Sequence, residues 1–366
     1  MKHQVGILGA NGFIGSRIVE MFHLESLAQV RPIVRTVQGM SRSARFALDI
    51  RVADGFKHAA LCNAFAGCDV IVHTIGGDRR TILGTLAITY AAAQAVGVRR
   101  LIYLSSASVH GQAPSPGTDE SSPLSTRQSV PYNNAKVLAE RVLRKLRDKG
   151  TVEVVILRPG IVFGPRSSWT GGLADEILSG RAYLVDGGGG ICNSTYVDNL
   201  AHAIFLALTA ADVDRQAFLI ADRETITWRD FYAPLAKALG MDLSWIPCPE
   251  LELGSVKWKD RNHKAHFYAG IRRVVNRLPI PLVYGLRSAY AAWRRPHDLS
   301  RSPWANCTVP PPTITAERAL LHRCQYKLPS TKAQALLGYE PIISFAEGCR
   351  RSVSWLAFAG YPVADN

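Results

Sequence analysis

Tyr132-Asn133-Asn134-Ala135-Lys136 sets a phenol and an ammonium four residues apart. On a helix, side chains at that spacing share one face. A tyrosine ordinarily titrates near ~10. A cation beside it favours the phenolate and brings its proton exchange toward neutral pH. Hydride transfer at a carbinol carbon needs such a partner, because the oxygen gains or loses a proton as the hydride moves. Taken alone, the spacing is common by chance. A second chemical feature stands near the N-terminus. Gly9-Ala10-Asn11-Gly12-Phe13-Ile14-Gly15 follows an apolar run and opens an amphipathic segment. The glycines permit a tight turn and a close backbone approach, and a helix N-terminus offers unpaired N–H groups and partial positive charge. That is a cradle for a pyrophosphate. Gly9, Asn11, Gly12, Phe13, Ile14 and Gly15 are therefore candidate dinucleotide contacts.

Both features need a scaffold. Strand-like runs at Gln4 to Leu8, Val30 to Val34, Asp69 to His73, Leu101 to Leu104 and Val152 to Leu157 alternate with helical segments. The helices are expected at Ile14 to Phe22, Thr85 to Val96 and Pro131 to Lys149. This alternation predicts an α/β fold, a Rossmann-type doubly wound parallel sheet with helices on both faces. Residues 1–165 read as an NAD(P)-binding Rossmann domain and 166–366 as a smaller, mostly helical substrate region. Within the latter, about 195–225 is expected to return to the Rossmann domain, with Asp198 capping a helix from Val197 to Leu208 and Ala217 to Ile220 as a strand. A helix at Trp228 to Leu239 and a helical pair over 331–360 complete the reading.

The end of the second strand bears on the cofactor. An acid there bonds a ribose 2′-hydroxyl, whereas an arginine suits a 2′-phosphate. Ile33-Val34-Arg35-Thr36 carries Arg35 and no acid. NADP is the preferred cofactor, and NAD the alternative if Arg35 is an ordinary surface arginine.

Composition narrows the class. Hydrophobic residues make up 47% and charged residues 20% of the 366, which suits a packed core. The seven cysteines are scattered without a Cys-x-x-Cys pair, so reduced thiols are expected, with neither a disulfide framework nor a metal site. Met1-Lys2-His3 runs straight into an apolar strand, and no apolar stretch reaches the ~18 residues of a membrane span. A cytoplasmic enzyme is expected. The net charge is +14, and Val256 to Arg301 holds eleven Lys/Arg against two Asp. Aromatic residues interleave with that charge across 255–312, a basic aromatic insertion. It reads as a lid for an anionic substrate, as a peripheral membrane contact through 255–301 suited to a lipid-linked substrate, or as a plain solvated surface. Nucleic acid is not expected, since no recognised module accompanies it.

The Gly-x-x-Gly-x-x-Gly spacing resembles that of the extended short-chain dehydrogenase/reductase superfamily. Tyr103-Leu104-Ser105-Ser106-Ala107-Ser108-Val109-His110-Gly111 resembles its Ser-Ser-x-x-Val-Tyr-Gly segment, and 157–165, 196–199 and 330–341 are similar to three further family signatures. The resemblance implies Ser106 as the hydroxyl that holds the substrate oxygen, with Ser105 and Ser108 nearby competitors. It implies Tyr132 as acid/base, and Lys136 as its pKa tuner and ribose contact. It places Pro159 by the cofactor, and Ile161 and Tyr196 with Ser106 and Ser108 by the substrate. Asp54 resembles the family's adenine contact, but it reads equally as a helix N-cap. Ile161 stands where nucleotide-sugar enzymes commonly carry an Asn. With His110 and Ile75, it points toward the 3β-hydroxysteroid dehydrogenase and dihydroflavonol reductase-like branch. That branch implies an oxidoreductase acting on a secondary alcohol or ketone. A nucleotide-sugar epimerase or dehydratase and a non-catalytic NADP-binding regulator remain as alternatives. Relatives pair through the helices at 85–97 and 131–149, which implies a homodimer.

Overall fold

The computed structural model describes residues 3–249 and 314–364. The basic aromatic insertion at 255–312, with its membrane and lid readings, lies outside the described residues. The main sheet contains β1 (Gln4–Leu8), β2 (Gln29–Val34), β3 (Arg51–Val52), β4 (Val70–His73), β5 (Arg100–Leu104), β6 (Glu153–Pro159) and β10 (Ala217–Ile220). Their spatial order is β3-β2-β1-β4-β5-β6-β10, and every pairing is parallel. Two small sheets stand beyond its C-terminal edge. In one, β7 (Ile161–Phe163) pairs with β9 (Ser194–Tyr196); in the other, β8 (Ile191–Cys192) pairs with β11 (Ile226–Thr227).

The central strands are apolar along their whole length because both faces are covered. Their period of two divides the core. Val70, Val72, Ile102, Leu104, Val155 and Leu157 face one layer, built on α1 (Phe13–Leu24) and, beyond the first half, α6 (Val197–Thr209). Ile71, Leu101, Tyr103, Val154 and Ile156 face the other, built on α2 (His58–Phe65), α3 (Arg79–Ala95) and α4 (Pro131–Lys149). This alternation aims Tyr103, and by parity Ser105, at α4.

The remaining helices are α5 (Leu173–Leu178), α7 (Trp228–Ala238), α8 (Ala316–His322), α9 (Thr331–Leu337) and α10 (Phe345–Phe358). A third core of Phe163, Tyr196, Trp228, Phe231 and Leu356 binds α5, α7 and α10 to the small sheets. Two expectations change here. Helix α3 begins at Arg79, ahead of the expected Thr85, because Asp78 Oδ1 accepts the Thr81 N–H at 2.9 Å and caps it there. Asp198 caps nothing. Tyr196 holds the N-cap position of α6, and Asp198 is buried between Arg17 Nη2, at 2.8 Å, and Arg351 Nη1, at 3.1 Å. Those cations lie far away in sequence on α1 and α10.

Candidate active site

The parallel order reverses beside β1, and ligands of such sheets sit beyond the strand ends at that switch point. A cleft of about 350 Å³ opens there, lined by Gly9, Asn11, Gly12, Arg35, Thr36, Asp54, Phe56, Thr74, Ile75 and Gly76, among others. The glycines are sterically required. Gly9 has φ +93°, and a Cβ on Gly15 would meet Gly9 O at 2.4 Å. Phe13, Ile14 and Gly15 open α1 directly behind this loop. Gly12 precedes that helix as its N-cap, and no side chain satisfies the terminal N–H groups. A bare helix terminus facing a cleft that only glycines leave open fits a dinucleotide pyrophosphate.

At the adenosine end, Arg35 is exposed and forms no ion pair among the described residues. The nearby acid Asp49 is held by Arg31 and Arg51. Asp54 is not a helix N-cap, because α2 starts at His58 behind Lys57. Its Oδ1 accepts the Phe56 N–H at 3.0 Å within the cleft wall. Pro159 closes β6, buried, and lines neither this cleft nor the cavity described next.

Tyr132, Lys136 and Glu140 form one stripe down α4, four residues apart each time. The stripe runs from the exposed Tyr132 ring into the core. Glu140 lies at the bottom, where Arg158 of β6 grips it with Nε at 3.0 Å and Nη2 at 2.6 Å. Ser105 donates to the same carboxylate at 2.6 Å, which removes it from contention as the substrate serine. Arg158 also donates from Nη1 to His110 Nε2 at 3.2 Å. Burial, and then the Arg158 charge, hold His110 down to about 4, so it is a neutral acceptor at pH 7.

Lys136 is buried in mid-stripe. Its ammonium donates to Leu104 O at 2.6 Å and to Tyr103 Oη at 3.2 Å. Burial pulls it down to about 7. The Tyr132 phenol stands above it, 39% exposed, with Lys136 Nζ 5.8 Å from the ring centre. The expected lowering of the phenol is not realised. Burial pushes the Tyr132 phenol up to about 12, while the nearby Ser106 side chain pulls the other way. Water at the exposed ring edge moderates the effect without changing its direction. The reason is positional: Lys136 is directed at Tyr103 and Leu104 O, below the phenol rather than beside its oxygen. Tyr103 is one residue that sequence reasoning missed; its strand parity with Ser105 was the available signal.

Ser106 lies two residues past β5 and caps a short 3-10 turn, Ala107–His110, accepting from Ser108 N at 3.2 Å and Ser108 Oγ at 2.9 Å. Both serines line a small cavity of about 50 Å³ whose other walls include Gln112, Ile161, Asn193, Trp228, Leu321, Cys324 and Leu328. Among the described residues, no lysine or arginine lines it. Tyr196 does not reach it. The ring is buried in the third core, 5.3 Å from Phe163 centre to centre. Its neighbour Asn193, missed by the sequence reading, takes the wall position instead. Trp228, Leu321, Cys324 and Leu328 were also missed, since no local pattern marks them.

Residues 6–249 match the 3-beta hydroxysteroid dehydrogenase/isomerase family. The 3beta-hydroxysteroid-dehydrogenase/decarboxylase isoform 1 of Arabidopsis thaliana is 24% identical over 386 residues, covering 95% of this chain and 78% of its own. The decarboxylating sterol-4-alpha-carboxylate 3-dehydrogenase of Candida albicans is 26% identical over 385 residues, covering 96% of each chain. Among solved structures, the dTDP-glucose 4,6-dehydratase of Streptomyces venezuelae, crystallised with NAD, matches with a TM-score of 0.69 over 97% of each chain. At 19% identity, that likeness concerns the fold. The chain belongs to the 3-beta hydroxysteroid dehydrogenase/isomerase family, and is an NAD(P)-dependent enzyme of the extended short-chain dehydrogenase/reductase superfamily.

Proposed function

We propose that this enzyme interconverts a secondary alcohol and a ketone on a largely apolar, sterol-like substrate, with NADP(H) as the redox partner. The observation that carries the reading is the meeting of the Ser106 turn with the Tyr132–Lys136 face of α4, beside a small cavity whose lining among the described residues is cation-free and mostly apolar. A bound nicotinamide dinucleotide supplies the hydride donor or acceptor. The chain supplies the proton. Ser106 holds the substrate oxygen, and Tyr132 gives that oxygen its phenolic proton in reduction or takes one in oxidation. Lys136 supports the phenolate from below, and solvent at the exposed edge of Tyr132 restores the proton. The NADP preference rests on Arg35, a free guanidinium in the cleft beside Thr36. A homodimer through α3 and α4 belongs to the same proposal, and light scattering would test it.

The cavity lining speaks against a nucleotide-sugar. Ile161 lines the wall, and among the described residues no cation there meets a diphosphate. The test is oxidation of 3β-hydroxysteroids, or reduction of the ketones, followed by the absorbance of reduced nicotinamide. Tyr132→Phe is expected to lower kcat by about 10²- to 10⁴-fold with cofactor affinity retained. Full turnover in Tyr132→Phe would refute the mechanism. Sugar conversion without net absorbance change would favour an epimerase, and tight NADP binding without turnover of any alcohol would favour a regulator.

A further inference from the structure

Glu317 lies in the first turn of α8, behind the Thr315 cap. A carboxylate is well placed there on helix-dipole grounds alone. This one also reaches across the molecule, where Gln112 Nε2 donates to its Oε1 at 3.4 Å. Gln112 lines the small cavity together with Ser106. So does Leu321, one helical turn beyond Glu317 on the same face of α8. The carboxylate does not line the cavity itself; it stands behind the rim, bonded to the wall residue Gln112 and one turn before the wall residue Leu321. Its charge is felt at the Tyr132 phenol, where it opposes ionisation. Among the described residues no cation pairs with Glu317, and its neighbour Arg318 is held by Glu176 at 2.6 Å. Its Oε2 accepts no hydrogen bond among the described residues, which leaves an acceptor for a ligand.

We propose that Glu317 is a specificity residue, selecting substrates that are uncharged or bear a hydrogen-bond donor beside the reacting carbon and rejecting those with an anionic group there. The inference rests on the alcohol–ketone reading above. For a substrate anion held on the order of 8 Å from this carboxylate, at an effective dielectric of about 20 to 40, repulsion would disfavour binding by roughly 5- to 30-fold. This chain then departs from its Candida albicans relative, whose name states a carboxylate substrate.

The full-length enzyme with NADP(H) is assayed on a neutral 3β-hydroxysteroid and on the matching 4α-carboxylate, as wild type and as Glu317→Gln. Glutamine keeps the shape and still accepts from Gln112. The preference for the neutral alcohol is expected to fall by roughly 5- to 30-fold, mainly through a gain in kcat/KM on the carboxylate. A merely structural role would lower both substrates alike and leave their ratio unchanged, and an unchanged ratio overturns the proposal. If neither steroid reacts in either protein, the alcohol–ketone reading fails on its own. The charge behind the rim is then decided by ultraviolet titration of Tyr132, with Tyr132→Phe subtracted. The groups acting on that phenol are Ser106, Lys136, Tyr103 and Glu317. Glu317→Gln is expected to lower the phenol's pKa, and no shift overturns the proposal.

Discussion

Removing Glu140 tests how the site is held. Its side chain and that of Arg158 are each 1% exposed. Glu140→Leu deletes two Arg158 hydrogen bonds and the Ser105 bond, and leaves a guanidinium buried without its counter-charge. Breaking such a pair costs about 3–5 kcal/mol. At about 2–4 °C per kcal/mol for a large domain, Tm should fall on the order of 10 °C. The buried pair itself need not be a net stabiliser, since desolvation opposes its attraction. Glu140→Leu combined with Arg158→Met should therefore regain most of the loss. Thermal unfolding of the wild type, both single variants and the double variant closes the cycle. Additive losses, or a fall below about 2 °C in Glu140→Leu, would show that water already reaches the pair and that the reasoning is wrong. The readout extends to chemistry, because Ser105 anchors the strand end that carries Ser106. The single variant should lose kcat even at temperatures where it is fully folded.

Arg35→Ala should raise the Kd for NADPH by about 10- to 100-fold, from the ~1.5–3 kcal/mol of a hydrogen bond to a charged group, and leave NADH nearly unaffected; an unchanged preference would remove Arg35 from the 2′-phosphate argument. Gly15→Ala drives a Cβ to 2.4 Å from Gly9 O, so the loop must shift. We expect a folded protein with at least about tenfold weaker cofactor binding, at a cost of about 1–3 kcal/mol in stability, and calorimetry showing wild-type affinity would contradict it. His110 is held at about 4 against 6.5 for the free side chain. The unfolded chain therefore binds more protons between those values, and stability is lost as pH falls through that window. His110→Gln, which still accepts from Arg158, should flatten that decline by up to about 1.4 kcal/mol per pH unit.

The central strands were legible because burial on both faces turns them into continuous apolar runs, whereas β3, with Arg51 and Val52 both exposed, and the short strands of the two small sheets were not. Gln4–Leu8, Pro131–Lys149 and Ala217–Ile220 fall where the sequence places them. The glycine loop was legible because its spacing is itself a steric requirement. Boundaries failed where a cap outran the apolar pattern, as at Asp78. They failed too where a distant cation claimed a side chain, as Arg17 and Arg351 claim Asp198. The Tyr132–Lys136 pair was found by spacing, but spacing does not report depth. How far Lys136 lies below the phenol depends on Tyr103, and that contact exists only once β5 lies against α4. Of the cavity's far wall nothing was visible, since Asn193, Trp228, Leu321 and Leu328 meet only in three dimensions.

That far wall separates two kinds of variation. The proton-handling side proposed above comes from two segments, the turn after β5 and the first turns of α4, tied down by the buried Glu140–Arg158 pair. The opposing surface is assembled from loops and helices much later in the chain. Substitutions at Trp228, Leu321 or Leu328 can reshape what the cavity admits without disturbing the phenol, the serine or the lysine. Relatives that share the same acid–base apparatus are thus free to diverge in the molecules they accept, and a shared chemical core is a poor guide to a shared metabolite.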